Sequence, residues 1–326
     1  MILSKFSGIR YVTIALLWAV ILISSSCEMQ PSITEDLDTE SRLPLSFHTE
    51  NVIIVVIDGP RFSETWGDPQ KRFIPNLAYG LGSQGVHYNR FYNNGPTYTS
   101  SGHTAITTGH YQIMANDGTE FPAKPSVFQL YLNHTRKNPK RAQIITGKAK
   151  LAVLGDCSAT NWRGRFNPLV NAADRPDSLT FKVALEKIEH DLPNLMLVQF
   201  RGPDAFGHAN NWSGYLNSIS ETDLYVWELW QFLQSHTHYN NRTTLFVTND
   251  HGRHLDHIKD GFVSHGDQCE GCMHINLFAV GPDFKVGQVI NNRGEQVDLA
   301  PTIAHLLGFQ LPHGEGVVLK ELFKNN

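Results

Sequence analysis

Asn51-Val-Ile-Ile-Val-Val-Ile-Asp58-Gly59 is an unbroken apolar run that ends in Asp-Gly. Nothing in it alternates, so it predicts a strand buried on both faces, as at the centre of a parallel sheet. Ligands of open α/β sheets collect beyond the carboxyl ends of the strands, which places Asp58 at the edge where chemistry is expected. Outward from this run, strand-like and helix-like segments alternate. Strands are expected over residues 86–92, 142–148, 195–200, 244–249 and 275–282. Helices are expected over 75–81, from about 101 to 109, and over 126–135, 177–190, 214–236 and 297–307, with Gly308 just past the last one. The alternation predicts an α/β fold, a mostly parallel central sheet sandwiched between helices.

The chain has 326 residues, enough for a substantial core. Hydrophobic residues make up 41% and charged residues 18%, which excludes extended disorder. The net charge of −4 is spread without long runs, so no nucleic-acid-binding surface is expected. Sixteen histidines justify a search for metal-ligand spacings.

Residues 95–109, Gly-Pro-Thr-Tyr-Thr-Ser-Ser-Gly-His-Thr-Ala-Ile-Thr-Thr-Gly, follow the second strand and a turn signal at Asn93-Asn94-Gly95-Pro96. Thr99 is thereby placed at a helix N-terminus, where free N–H groups and the helix dipole favour an anion. The plain reading is a helix cap. Three other expected strand ends carry matching residues: Asp58, then Asp204 with His208, then Asp250 with His251. Carboxylates and imidazoles converging on one sheet edge suit zinc, or manganese or iron less selectively. An Asp and a His four apart, as at 204 and 208, can grip one ion from a loop. Taken one by one, these would be turn residues; three such sets at one edge, beside a hydroxyl nucleophile, point to a hydrolytic metal centre.

Together these motifs resemble the alkaline phosphatase superfamily, closest to its nucleotide pyrophosphatase/phosphodiesterase branch. The matching elements are Asp58-Gly59, Pro96 through Thr99 and His103 to Thr108-Gly109, Asp204 to Gly207-His208, Asp250-His251-Gly252 and His265-Gly266 before Gly281-Pro282. The C-terminal pattern from Val297 to Gly308 also matches, so the likeness runs from about residue 50 to the end. The resemblance implies two divalent ions, zinc with manganese as the alternative. One would be held by Asp58, Thr99, Asp250 and His251, the other by Asp204, His208 and His265, with His274 the rival for the last place. His103 is not a ligand in this scheme and is expected to pack inside its helix.

Thr99 would attack phosphorus and form a phospho-threonine. The implied activity is hydrolysis of small phosphate esters, mono- or diesters. Transfer or hydrolysis of phospho- or sulfo-groups on envelope glycans or lipids is the alternative, and a non-catalytic binding protein on the same scaffold is the other. Two departures stand out. Ser100-Ser101-Gly102 replaces the branch's usual aromatic, Pro and Asn, and Glu120 stands where an Asn is expected, leaving Asn116 as the nearest substrate-binding candidate. Gly147-Lys148-Ala149-Lys150-Leu151 is similar to the Gly-Lys element of sulfatases, so Lys148 is a second candidate for gripping an anion, against the plain reading of a solvated lysine. Thr99 cannot replace the Cys or Ser of a formylglycine sulfatase.

The N-terminal segment reads as export machinery. Lys5 and Arg10 precede an apolar run from Tyr11 to Ile23, followed by Ser24-Ser25-Ser26-Cys27. This resembles a lipoprotein signal over residues 1–27 with Cys27 as the lipid-bearing residue; an uncleaved anchor and an ordinary secretory signal are the alternatives. Residues 28–48 read as a tether, and 49–326 as the catalytic domain. The expected location is the cell envelope, exported and membrane-anchored, periplasmic or at the cell surface. Cys269-Glu-Gly-Cys272 has the spacing of a redox or zinc half-site, but no second pair completes a four-thiolate site. For an exported chain a local disulfide is the expectation, with Cys157 left over and buried.

Overall fold

The computed structural model describes residues 47–324; the signal, Cys27 and nearly all of the tether lie outside the described residues. Eight strands form one sheet: β1 (Asn51–Ile57), β2 (Val86–Tyr92), β3 (Ala142–Thr146), β4 (Leu169–Ala172), β5 (Leu195–Phe200), β6 (Thr243–Thr248), β7 (His274–Val280) and β8 (Gln288–Glu295). Their spatial order is β4-β3-β5-β1-β6-β7-β2-β8. β1 is central, paired in parallel with β5 and β6. Every residue of β1 is buried. Val52, Ile54 and Val56 enter the core on one face, while Ile53, Val55 and Ile57 enter the core on the other.

The helices are α1 (Thr99–Thr108), α2 (Val127–Thr135), α3 (Asp177–Asp191), α4 (Gly202–His208), α5 (Trp212–Ser235), α6 (Glu270–Met273) and α7 (Leu299–Leu306). Ile106 of α1, Phe128 of α2 and Ile303 of α7 pack on the first face. Phe181 of α3 and the Tyr215, Val226, Leu229 and Trp230 stripe of α5 pack on the second, so that stripe is core. The fold is the expected α/β arrangement, a mostly parallel sheet between two helical layers.

β7 runs antiparallel to both of its neighbours, so β2 regains the direction of β1, and the ends of β1, β2, β5 and β6 open on one edge. Two strands escaped the sequence reading. β4 is short and only partly buried, and β8 is mostly exposed and polar; edge strands of this kind lack the apolar signal of a central strand. Gly202-Pro203, read as a loop, instead opens α4, with Pro in its first turn where a missing N–H costs nothing. Cys157 is buried as expected, but Cys269 and Cys272 are free thiols, so the expected disulfide is absent. Among the described residues no helix is long and apolar enough to cross a membrane.

Candidate active site

Thr99 is the first residue of α1, two residues earlier than the sequence suggested. The N-cap is Tyr98, and no side chain caps the helix, so the Thr99 hydroxyl has no capping role. α1 lies directly against the β6 exit: a Cβ on Gly102 would come within 2.3 Å of the Asp250 carbonyl oxygen. This close approach is the physical reason for Gly102 three residues after the threonine. His103, fully buried, reaches the Thr99 carbonyl at 2.8 Å and Asp250 Oδ2 at 3.4 Å from its Nδ1, so it packs inside α1 as expected and braces a carboxylate.

Asp58, Asp250 and His251 are fully buried, and each leaves one atom without a hydrogen-bond partner: Asp58 Oδ1, Asp250 Oδ2 and His251 Nε2. Those atoms converge, with His251 Nε2 at 3.5 Å from Asp58 Oδ1 and 3.4 Å from Asp250 Oδ2. The other oxygens are occupied. Asp58 Oδ2 accepts from Gln199 at 2.8 Å, and Asp250 Oδ1 accepts from the N–H groups of Gly59 and His251 at 3.2 and 3.0 Å. His251 Nδ1 lies 2.9 Å from the Gly252 carbonyl. A carbonyl only accepts, so Nδ1 carries the proton and Nε2 presents its lone pair inward. Burial pushes His251 down to about 3, so it is neutral at pH 7. Three orphaned buried ligand atoms within reach of one point are costly in isolation and fit a divalent cation.

A second group adjoins the first. Asp204 and His208, four apart, share one face of α4 and not a loop. His208 Nε2 lies 3.2 Å from Asp204 Oδ1 and 3.1 Å from His265 Nε2. His265 Nδ1 donates to the Thr97 carbonyl at 2.8 Å, which again turns Nε2 inward, and its ring stacks on His251 with centroids 3.6 Å apart. Ligand atoms of Asp204, His208 and His265 lie within 4.8 Å of one another, as do those of Asp58, Asp204 and His251; each trio could hold a metal. His274 lies elsewhere: its Nε2 meets the Asn89 carbonyl at 3.1 Å, and its ring stacks between Phe62 and Tyr92.

Lys148 is not solvated. Its ammonium is buried 2.8 Å from Asp58 Oδ2, 2.6 Å from Asp204 Oδ2 and 3.3 Å from Thr99 Oγ1. Burial disfavours the charged ammonium, but Asp58 and Asp204 outweigh it and hold the Lys148 pKa above its ordinary value. Burial and the Asp250 charge push Asp58 well up. For Asp204, burial also pushes up, but Lys148 and the two histidines win and hold it well below the usual range. Arg253 Nη1 pairs with Asp204 Oδ1. Lys148 thus pairs with Asp58 and Asp204, and Arg253 with Asp204, while Asp250 pairs, among the described residues, only with histidines, leaving room for further positive charge.

Thr99, Asn116, Lys148, Lys150, Asp174, Arg201, Asp204, His208 and His265 surround an open pocket of about 430 Å³. Asn116 Oδ1 accepts from the Ser100 N–H and from Lys150, both at 3.0 Å. Glu120 lies behind it, binding Gln112 and the Ala115 N–H. Lys150, Arg201 and Arg253 were not singled out from the sequence. Lone basic residues read as surface, although Lys150 lies within the Gly-Lys element, Arg201 follows a strand and Arg253 follows Asp250-His251-Gly252.

A family model described as Sulfatase matches residues 155–309, which hold Asp204, His208, Asp250, His251 and His265 but not Asp58 or Thr99. The catalytic subunit of GPI ethanolamine phosphate transferase 3 from Mus musculus is 26% identical over 306 residues, 83% of this chain. The chain spans only 26% of that protein's length. Murine ectonucleotide pyrophosphatase/phosphodiesterase 5 superposes with a TM-score of 0.64 at 17% identity, covering 84% of this chain and 100% of that one. A protein of the alkaline phosphatase superfamily from Vibrio parahaemolyticus gives 0.60 at 15% identity, covering 80% and 67%. The fold is that of the alkaline phosphatase superfamily, as the motifs implied, and the chain is similar to phosphoester hydrolases and transferases.

Proposed function

We propose that the chain is a metal-dependent hydrolase of phosphate esters in which Thr99 is the nucleophile. The observation that carries this reading is the convergence of Asp58 Oδ1, Asp250 Oδ2 and His251 Nε2, all buried and unpartnered, beside a hydroxyl at a helix N-terminus. Asp58, Thr99, Asp250 and His251 would hold one divalent ion, zinc or manganese, and Asp204, His208 and His265 the other. Such ions, when bound, neutralise phosphoryl charge and favour the deprotonated nucleophile.

The chain's own groups do the rest. Lys148 donates toward Thr99 Oγ1, so its positive charge favours the alkoxide and faces the oxygens of an incoming phosphoryl group. Lys150 and Arg201 line the same pocket and suit the remaining charge of an anionic ester. The Thr99 hydroxyl gives its proton to solvent, the bond from its Oγ1 to phosphorus forms as the ester's P–O bond breaks, and the leaving alkoxide takes a proton from water to depart as the alcohol. Water then cleaves the phospho-threonine and regenerates the hydroxyl.

The test is Thr99→Ala. It is expected to abolish turnover of aryl phosphate mono- and diesters with little change in fold or metal content, because Asp58, Asp250 and His251 remain as ligands, and Thr99→Ser should keep partial activity. Near-normal turnover by the folded Thr99→Ala chain overturns the nucleophile assignment. The likeness to an ethanolamine phosphate transferase favours a second reading, transfer to an alcohol acceptor. Product partition with added ethanolamine or glycerol separates it from hydrolysis. We further propose that the chain lies in the cell envelope, anchored through a lipid on Cys27; the apolar run from Tyr11 to Ile23 and the small residues before Cys27 support this reading.

A further inference from the structure

A third cluster of ligand atoms lies outside the site described above. His254, Asp267, Cys269 and Cys272 bring one nitrogen, one oxygen and two sulfurs within 4.8 Å of one another. His254 is 1% exposed, and its Nε2 has no hydrogen-bond partner. That atom points at Asp267 Oδ2, 3.2 Å away. Its other nitrogen, Nδ1, lies 3.1 Å from Asp260 Oδ1 and 3.2 Å from Ser264 Oγ. A carboxylate on Nδ1 that leaves Nε2 free inward is the usual support of a metal-ligating histidine. Cys269 caps α6 and Cys272 lies within it, and the two are unbonded.

We infer that His254, Asp267, Cys269 and Cys272 form a structural zinc site that fixes the loop carrying His265. The donor set is closed and tetrahedral in number, and two thiolates with an imidazole select zinc over magnesium or calcium. Binding releases the two thiol protons. Two thiolates and Asp267 outweigh a dication by one charge, and Lys259 Nζ, 2.5 Å from Asp267 Oδ2, offsets it. The surrounding backbone is built for this turn. The Gly252 N–H donates to the Cys272 carbonyl at 2.8 Å, and a Cβ on Gly252 would come within 2.0 Å of the Gly271 carbonyl oxygen. The same loop reaches the nucleophile segment, where Thr97 Oγ1 donates to the Asp267 carbonyl at 2.7 Å and His265 Nδ1 donates to the Thr97 carbonyl. The site thus ties Asp250-His251-Gly252, His265 and the approach to Thr99 into one unit.

Cobalt(II) loading of the full chain tests this, because the catalytic ligands include no sulfur. A thiolate-to-cobalt charge-transfer band in the near ultraviolet is expected. It should persist in Asp204→Asn/His208→Ala and in Cys157→Ser, and vanish in Cys269→Ser/Cys272→Ser. Elemental analysis of the zinc-loaded double cysteine variant should show one zinc fewer per chain. Should that variant not fold, the native chain still decides. Zinc should protect both thiols from iodoacetamide, and X-ray absorption should show Zn–S distances of about 2.3 Å. A wild-type chain without the charge-transfer band, or one isolated with a Cys269–Cys272 disulfide, overturns the inference and leaves the proposed hydrolase untouched.

Discussion

Lys148 is the residue on which the two charge systems meet, since it pairs with Asp58 and Asp204 and touches Thr99. Lys148→Met is expected to lower kcat by about 10²–10³-fold, the usual cost of losing one charge-stabilising donor. Lys148→Arg should not restore it, because a planar fork cannot fit the space of a point ammonium. The same substitution has a second readout. In chelator the buried carboxylates lose their cation, and urea unfolding should show a loss of about 3–5 kcal/mol; saturating zinc should shrink that loss by refilling the site. A stability change that is the same with and without zinc would separate Lys148 from the metal centre. His265 and His274 offer a cleaner contrast. His265→Ala is expected to lose one catalytic metal and most activity, while His274→Ala, whose ring lies between Phe62 and Tyr92, should keep its metals. Metal analysis of the two variants decides it.

At the scale of elements, the position of α1 depends on Gly102. Gly102→Ala would drive a methyl group into the Asp250 carbonyl, costing about 1–3 kcal/mol through overpacking. It should also displace Thr99 from the carboxylates. A shift of about 1 Å at a reacting group can cost about 10²-fold in rate, so kcat should fall far more than stability, measured by turnover beside thermal unfolding. What could be read from the sequence follows the same physics. β1, β5 and β6 announce themselves as apolar runs because both of their faces are buried, and their ends deliver Asp58, Asp204 and Asp250. β4 and β8 could not be found that way, since their exposed residues carry no periodic signal. Strand direction leaves no trace in periodicity, so the reversal of β7 was invisible. The roles of Lys150, Arg201 and Arg253 were hidden for another reason. A basic residue is a surface residue by default, and only the fold shows Lys150 and Arg201 lining the pocket with Thr99 and Arg253 paired with Asp204.

At the scale of the whole molecule, the remaining question is where this sheet edge meets its substrate, and the N-terminal segment bears on it. The apolar run from Tyr11 to Ile23 is 13 residues, short of the ~20 that a spanning helix needs. It ends on small residues and Cys27, and the polar stretch after it supplies no cluster of positive charge to stop transfer. Lipid attachment at Cys27 explains this order better than a retained helix. A diacylglyceryl group buries many methylenes at ~0.8 kcal/mol each, enough for stable anchoring. The pocket with Lys148, Lys150 and Arg201 would then face esters outside the cytoplasm, whose charge keeps them from crossing a bilayer. Cys27→Ala is expected to accumulate as an unprocessed precursor without lipid, with the turnover of the purified catalytic domain unchanged because Cys27 lies far in sequence from every site residue. Mass spectrometry of the native protein checks it. An unmodified Cys27 within an intact N-terminus would replace lipid anchoring with a membrane-spanning anchor, while leaving the chemistry at Thr99 as proposed.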